Sequence, residues 1–139
     1  MEIILVSACL LGYNCKYNGK NNKNNKVLEY IKDKYVIPIC PEVFGGLSTP
    51  RIPSEINGDK VINKQGIDVT KYFIEGANKT LDIAKILNIK KAILKQKSPS
   101  CGYGKIYNGE FNGTIINDDG ITSKLLKENN IEIITEEDL

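Results

Sequence analysis

The sequence predicts an α/β protein, a single domain over residues 1–139 built on a mostly parallel, doubly wound (Rossmann-like) sheet of about four strands with helices on both faces. Three observations predict it. Short apolar runs alternate with amphipathic segments along the chain. The connections between the runs are long enough for right-handed crossovers. Neither an internal repeat nor a linker divides the 139 residues.

In chain order, residues 3–6 are continuously apolar, which suits a strand buried on both faces. Residues 20–26 are rich in lysine and asparagine and read as a solvated loop. Residues 27–35, with Val27, Leu28 and Ile31 between charges, predict a short helix. Tyr35-Val36-Ile37-Pro38-Ile39 is a second strand, and Pro38, which has no N–H to donate, places it at an edge or strand end. Gly45-Gly46, Pro50, Pro53 and Gly58 make residues 44–58 a long irregular loop, of the kind that usually carries function. Asp68 or Thr70 can cap a helix whose apolar face runs Phe73, Ala77, Leu81, Ala84, with Asn88 near its end. Residues 92–94 form a third strand that closes at Ser98-Pro99-Ser100-Cys101-Gly102. Residues 113–116 are a short strand or a loop, 120–130 a final helix and 131–134 a last strand.

The composition, 41% hydrophobic and 26% charged, is that of a soluble globular protein. No apolar run approaches the roughly 18–20 residues of a membrane span. The N-terminus lacks the basic start and longer apolar stretch of a signal peptide, so a cytoplasmic protein is expected. A net charge of +2 is too small to argue for nucleic acid. The chain has no histidine, which removes the usual neutral-pH base and leaves acid–base work to carboxylates, hydroxyls, lysine or a metal.

Of the four cysteines, Cys9, Cys40 and Cys101 each stand at or just beyond the C-terminal end of a predicted strand. In a parallel sheet those ends share one edge, and ligands bind in the crevice outside it. Without a secretory signal, a disulfide framework is disfavoured. Zinc sites favour close-set Cys-x-x-Cys pairs, and this chain has neither such a pair nor a histidine. Soft thiolates from separate loops suit an iron–sulfur cluster. A zinc ion, a lone catalytic cysteine and inert buried thiols remain open on this reading.

Four segments carry a resemblance: Val6-Ser7-Ala8-Cys9-Leu10-Leu11-Gly12, Cys40-Pro41-Glu42-Val43-Phe44-Gly45-Gly46, Gly66-x-Asp68-Val69-Thr70 and Lys97-Ser98-Pro99-Ser100-Cys101-Gly102. In order and spacing they resemble the thiouracil desulfidase family, small iron–sulfur proteins formerly described as a domain of unknown function. The resemblance spans nearly the whole chain. It implies a 4Fe–4S cluster held by Cys9, Cys40 and Cys101, with one iron not ligated by protein and open to the sulfur of a thiocarbonyl. Cys15 falls outside that ligand set, as a small buried side chain or spare thiol. Lys16-Tyr17-Asn18-Gly19 departs from the commoner Arg-Tyr-Asp-Gly run of the family.

The implied activity is non-redox, hydrolytic C–S cleavage that releases sulfide from a thiolated uracil, as base, nucleoside or a nucleotide such as 4-thiouridine monophosphate. Glu42, two residues after a ligand cysteine, is placed as the general base. Ser98 and Ser100 would bond the cluster sulfides or shuttle a proton. Lys16, Arg51 and Lys97 lie beside the motifs and could meet a phosphate. Two rivals share these residues: a desulfurase of thiouridine in transfer RNA, and a cluster-binding sensor or sulfide carrier that needs the cysteines but not Glu42. The small chain and weak charge favour a small-molecule partner over nucleic acid.

Overall fold

An apolar run without alternation can be satisfied only where both faces of a strand are covered. The structure, a computed structural model describing residues 2–139, places that run at the centre of the sheet, with Ile4, Leu5 and Val6 fully buried. The elements are β1 Ile3–Ser7, α1 Asn25–Tyr30, β2 Tyr35–Ile39, α2 Pro41–Phe44, β3 Ser54–Asn57, β4 Lys60–Asn63, α3 Thr70–Ile86, β5 Lys91–Leu94, β6 Ile106–Tyr107, β7 Ile115–Ile116, α4 Ile121–Glu128 and β8 Glu132–Thr135. Short 3₁₀ turns follow β1 at Ala8–Leu11 and β8 at Glu136–Asp138.

The main sheet has the order β2-β1-β5-β8, and each neighbouring pair is parallel. Alternation along β1 splits the core. Ile4 and Val6 pack with Leu10, Val27 and Ile93 on the α1 side. Leu5 packs with Leu81, Ala84, Leu126 and Ile133 on the α3 and α4 side. The chain is thus the doubly wound α/β protein that the sequence predicts, and Pro38 lies in β2, an edge strand. Among the described residues no helix is long and apolar enough to cross a membrane.

Several local expectations are corrected. The helix expected over 27–35 begins at Asn25, where the Asn24 side chain accepts from the Lys26 and Val27 amides, and ends at Tyr30. It stops early because the chain must turn into β2, whose Tyr35 amide donates to Glu2 O at 2.9 Å. The loop expected over 44–58 is not irregular throughout. Its end forms β3, paired antiparallel with β4 around Gly58-Asp59, a hairpin turn signal that the glycine and proline content of the segment obscured. Neither Asp68 nor Thr70 is the N-cap of α3; that position is Val69, with no side-chain cap bond. Asp68 instead accepts from the Thr70 amide, and the Thr70 hydroxyl accepts from Val61 N at 2.8 Å, which ties the helix start to β4. The expected apolar face holds: Phe73, Ala77, Leu81 and Ala84 are all buried.

One close approach bears directly on the site. The short helix α2, which begins immediately after Cys40, lies on α3 so tightly that a Cβ on Gly76 would stand 1.8 Å from Pro41 O. A Cβ on Gly45 would stand 1.9 Å from Tyr72 O. Gly76→Ala normally favours a helix interior by up to about 1 kcal/mol. Here overpacking should reverse the sign and cost about 1–3 kcal/mol or more. Thermal unfolding checks this, with Asp82→Ala on the exposed face of α3 expected to stay within about 0.5 kcal/mol of the parent.

Candidate active site at the carboxyl edge of the sheet

The carboxyl ends of β1, β2 and β5 open into a cavity of about 490 Å³, a size typical of small-molecule sites. Cys9, Cys15, Cys40 and Cys101 all line it. Cys9 sits in the 3₁₀ turn after β1, Cys40 directly follows β2, and Cys101 lies in the loop after β5. Topology therefore brings together the three cysteines expected at one sheet edge. Cys101 is buried and the other three are half-buried.

The Cys101 loop is fixed by hydrogen bonds along its length. The Ser7 hydroxyl accepts from Lys95 N at 3.0 Å. Gln96 donates from Nε2 to Tyr103 O and accepts at Oε1 from Tyr103 N, both at 2.8 Å. Ser98 Oγ accepts from the amides of Ser100 and Cys101, each at 3.1 Å. The first turn of α4 has no side-chain cap. Its spare amides bond the loop instead: Ile121 N donates to Pro99 O, and Thr122 N and Ser123 N donate to Ser100 O. The helix start is thereby satisfied and the loop held in one step.

Glu42 lies in α2 within reach of this loop. Its Oε2 accepts from Ser100 Oγ at 2.9 Å, and Ser98 Oγ lies 2.9 Å beyond. Because the Ser100 proton is directed at Glu42, Ser98 is the donor in the second bond. The three expected catalytic side chains form one continuous chain of hydrogen bonds.

The expectation that Arg51 could meet a phosphate is corrected by its partners. Arg51 Nε donates to Glu42 Oε1 at 3.1 Å, Nη1 to Ser48 O and Thr49 Oγ1, and Nη2 to Cys15 O at 2.9 Å. Its side chain is 7% exposed and that of Glu42 16%, so the pair is largely withdrawn from water. A guanidinium committed this way positions a carboxylate. Lys16, Lys97 and Arg51 itself line the cavity, and Lys97 Nζ stands 3.7 Å from Glu137.

The thiols differ in their surroundings. Burial pushes Cys101 up to about 12 against the hydroxyls of Ser7 and Ser100, and burial likewise raises Cys9 against Asn22. Cys40 is held down at about 7, chiefly by the hydrogen bond from the Cys15 thiol and also by the Arg51 charge, with burial opposing. Cys15 is raised because its proton is held in that bond. Cys15, expected as a small buried side chain or spare thiol, is half-buried beside Cys40, whose Sγ lies 3.8 Å from the Cys15 carbonyl oxygen.

Sequence reasoning did not single out Glu55, Gln96 or Phe111. Glu55 and Phe111 line the cavity, and Gln96 both lines it and braces the Cys101 loop. For Glu55 the overlooked signal is the hairpin itself; Gln96 and Phe111 carry none.

Fold and site together define a class: a doubly wound α/β protein with a thiol-lined small-molecule cavity at the carboxyl edge of its sheet. The family model described as 2-thiouracil desulfurase matches residues 4–138, and the chain belongs to the 2-thiouracil desulfurase family. It is 44% identical over 147 residues to YbbK of Bacillus subtilis (strain 168), with 99% of this chain and 97% of that protein covered. It also superposes with a TM-score of 0.91 on a solved structure of TudS, described as a 4Fe–4S-dependent thiouracil desulfidase. The identity there is 40%, over 100% of this chain and 93% of that one.

Breaking a buried ion pair by removing one partner costs about 3–5 kcal/mol. Arg51→Met is expected to destabilise by about that amount in urea unfolding, and Arg51→Met/Glu42→Gln by less than the two single changes summed. Additivity within about 0.5 kcal/mol would show that the two side chains are not coupled.

Proposed function

We propose that the chain is a 4Fe–4S cluster-dependent, non-redox desulfidase that removes sulfur from a thiolated uracil, with Cys9, Cys40 and Cys101 holding the cluster. The observation that carries this reading is the meeting, in one cavity, of three thiols from three separate loops with the Glu42–Ser100–Ser98 chain. The 2-thiouracil desulfurase family match and the likeness to TudS support it.

The donor set fits such a cluster. It is all sulfur, in a chain without histidine. Among the described residues no three His, Cys, Asp or Glu side chains are gathered on one point as a single ion would require. Three thiols lining one cavity could together hold a polynuclear iron–sulfur group. Three protein ligands leave one iron without one. When bound, the cluster supplies a Lewis-acidic iron that polarises a C=S bond, as metals polarise C=O.

The protein's own residues supply the rest. Glu42 accepts the proton of a water that adds to the ring carbon. Arg51 holds the other carboxylate oxygen, so that Oε2 keeps its orientation. Ser100 and Ser98 carry a proton along the bonds of 2.9 Å that join them to Glu42. The oxygen of water replaces sulfur, which leaves as sulfide, and no electron is exchanged. Lys16 and Lys97 on the wall extend the reading to a phosphate-bearing nucleotide.

Two expected outcomes test this. Anaerobically reconstituted protein should bind about four irons per chain. Cys9→Ala, Cys40→Ala and Cys101→Ala should each lose the visible cluster absorption, and Cys15→Ala should keep it; iron retention in any of the first three overturns the ligand set. On 2- and 4-thiouracil compounds, Glu42→Gln should slow sulfide release by about 100- to 10,000-fold with the cluster intact. Near-normal turnover in that variant would make Glu42 structural.

A further inference from the structure

The cavity has a second carboxylate, which the chemistry above does not use. Glu55, in β3, is 9% exposed and lines the same cavity as the cysteines. Its Oε1 accepts from Gly109 N at 3.0 Å and from Phe111 N at 3.1 Å. Both bonds land on one oxygen. Among the described residues Oε2 has no hydrogen-bond partner and no cation lies within ion-pair distance of Glu55. Nor is Oε2 sealed off: among the described residues the fully buried side-chain polar atom without a partner is Thr122 Oγ1. Oε2 therefore keeps access to solvent, in a side chain that lines the cavity.

A carboxylate nine-tenths withdrawn from water, with one oxygen unmatched, is costly unless a donor meets it. Phe111, whose amide Glu55 holds, is a non-glycine residue at φ 55 and also lines the cavity. Strained backbone of this kind is kept where surrounding structure over-determines it, commonly at ligand sites. Glu55 thus does two things with two oxygens: one holds the Phe111 amide, and the other is left without a donor in a cavity wall that Phe111 shares.

We infer that Glu55 is the specificity-determining acceptor of this site, taking the ring N–H beside the thiocarbonyl of a thiolated uracil while Phe111 covers the ring face. The inference rests on the desulfidase reading above. A carboxylate here selects a ring nitrogen that carries a proton, as in uracil. It rejects one that presents a lone pair, as N3 of cytosine does, because two acceptors would then face each other.

Glu55→Gln separates the two roles. The glutamine carbonyl can still accept from Gly109 N and Phe111 N, whereas its NH₂ presents a donor where Oε2 was an acceptor. Sulfide release by the cluster-loaded protein would be measured with 4-thiouracil, 3-methyl-4-thiouracil and 1-methyl-2-thiocytosine, in which the only unsubstituted ring nitrogen beside the thiocarbonyl presents a lone pair. Uracil binding would be measured by calorimetry and folding by thermal unfolding. The wild type should prefer 4-thiouracil to its 3-methyl derivative by about tenfold or more, the worth of one hydrogen bond. Glu55→Gln should raise KM for 4-thiouracil and weaken uracil binding by a similar factor, leave kcat within a few-fold, improve relatively on 1-methyl-2-thiocytosine and keep the parent melting temperature. Sulfide release by wild type, with KM, uracil binding and discrimination unchanged in Glu55→Gln, overturns this inference alone and leaves Glu55 as a loop clamp. An effect seen with nucleosides but not free bases would put a ribose hydroxyl on Glu55 and also overturn it. Should the variant not fold, equal kcat/KM of the wild type for 4-thiouracil and its 3-methyl derivative overturns the assignment. No sulfide release by wild type from any thiouracil compound removes the functional reading and this inference with it.

Discussion

The register of β1 between β2 and β5 is the constraint on which the site depends. Ser7 pairs with Ile39 and Val6 with Ile93, so the three strands end at nearly the same height. The turn carrying Cys9, the start of α2 at Cys40 and the loop to Cys101 therefore leave the sheet side by side. A slip of one residue would exchange the two faces of β1, moving Leu5 out of the α3–α4 core and Ile4 and Val6 into it. Ser7 adds a lock, since its buried hydroxyl takes the Lys95 amide where the Cys101 loop begins.

Around that edge, polar groups are held in place by bonds between segments distant in the chain. Arg51 joins Glu42 of α2, the 48–49 turn and the Cys15 carbonyl, with each guanidinium nitrogen engaged. In a cavity partly shielded from water such bonds are stronger than at the surface, and their loss is correspondingly expensive. The two carboxylates of the cavity are set apart by surroundings. Glu42 has a cation and a hydroxyl chain, whereas Glu55 has only backbone amides on one oxygen. Environment alone thus sets two identical side chains apart, one paired with a cation and hydroxyls and the other held by amides.

The rim is built as firmly as the floor. The β3–β4 hairpin and β6 share an apolar cluster of Ile56, Val61, Phe73 and Ile106, which anchors them to α3. The same helix meets α2 through Gly45 and Gly76. One helix thus supports both the segment that carries Cys40 and Glu42 and the hairpin that carries Glu55. Their relative placement is set by packing across α3.

The sequence by itself determined the parallel sheet, the strand ends at which Cys9, Cys40 and Cys101 stand, and the amphipathic face of α3. All of these follow from local hydrophobic period and from the handedness of crossovers. It did not show that Arg51 belongs to Glu42, because a charged residue in a proline-rich loop reads the same whether it faces solvent or a buried carboxylate. It did not show Glu55 as a cavity residue, because that depends on where the hairpin folds back, and glycine and proline around it concealed the strand. Nor did spacing indicate that Ser98 and Ser100 would line up with Glu42, 58 residues from Ser100 in the chain. Hydrogen bonds between distant segments have no local period, so they become visible only when tertiary packing has brought their donors and acceptors together.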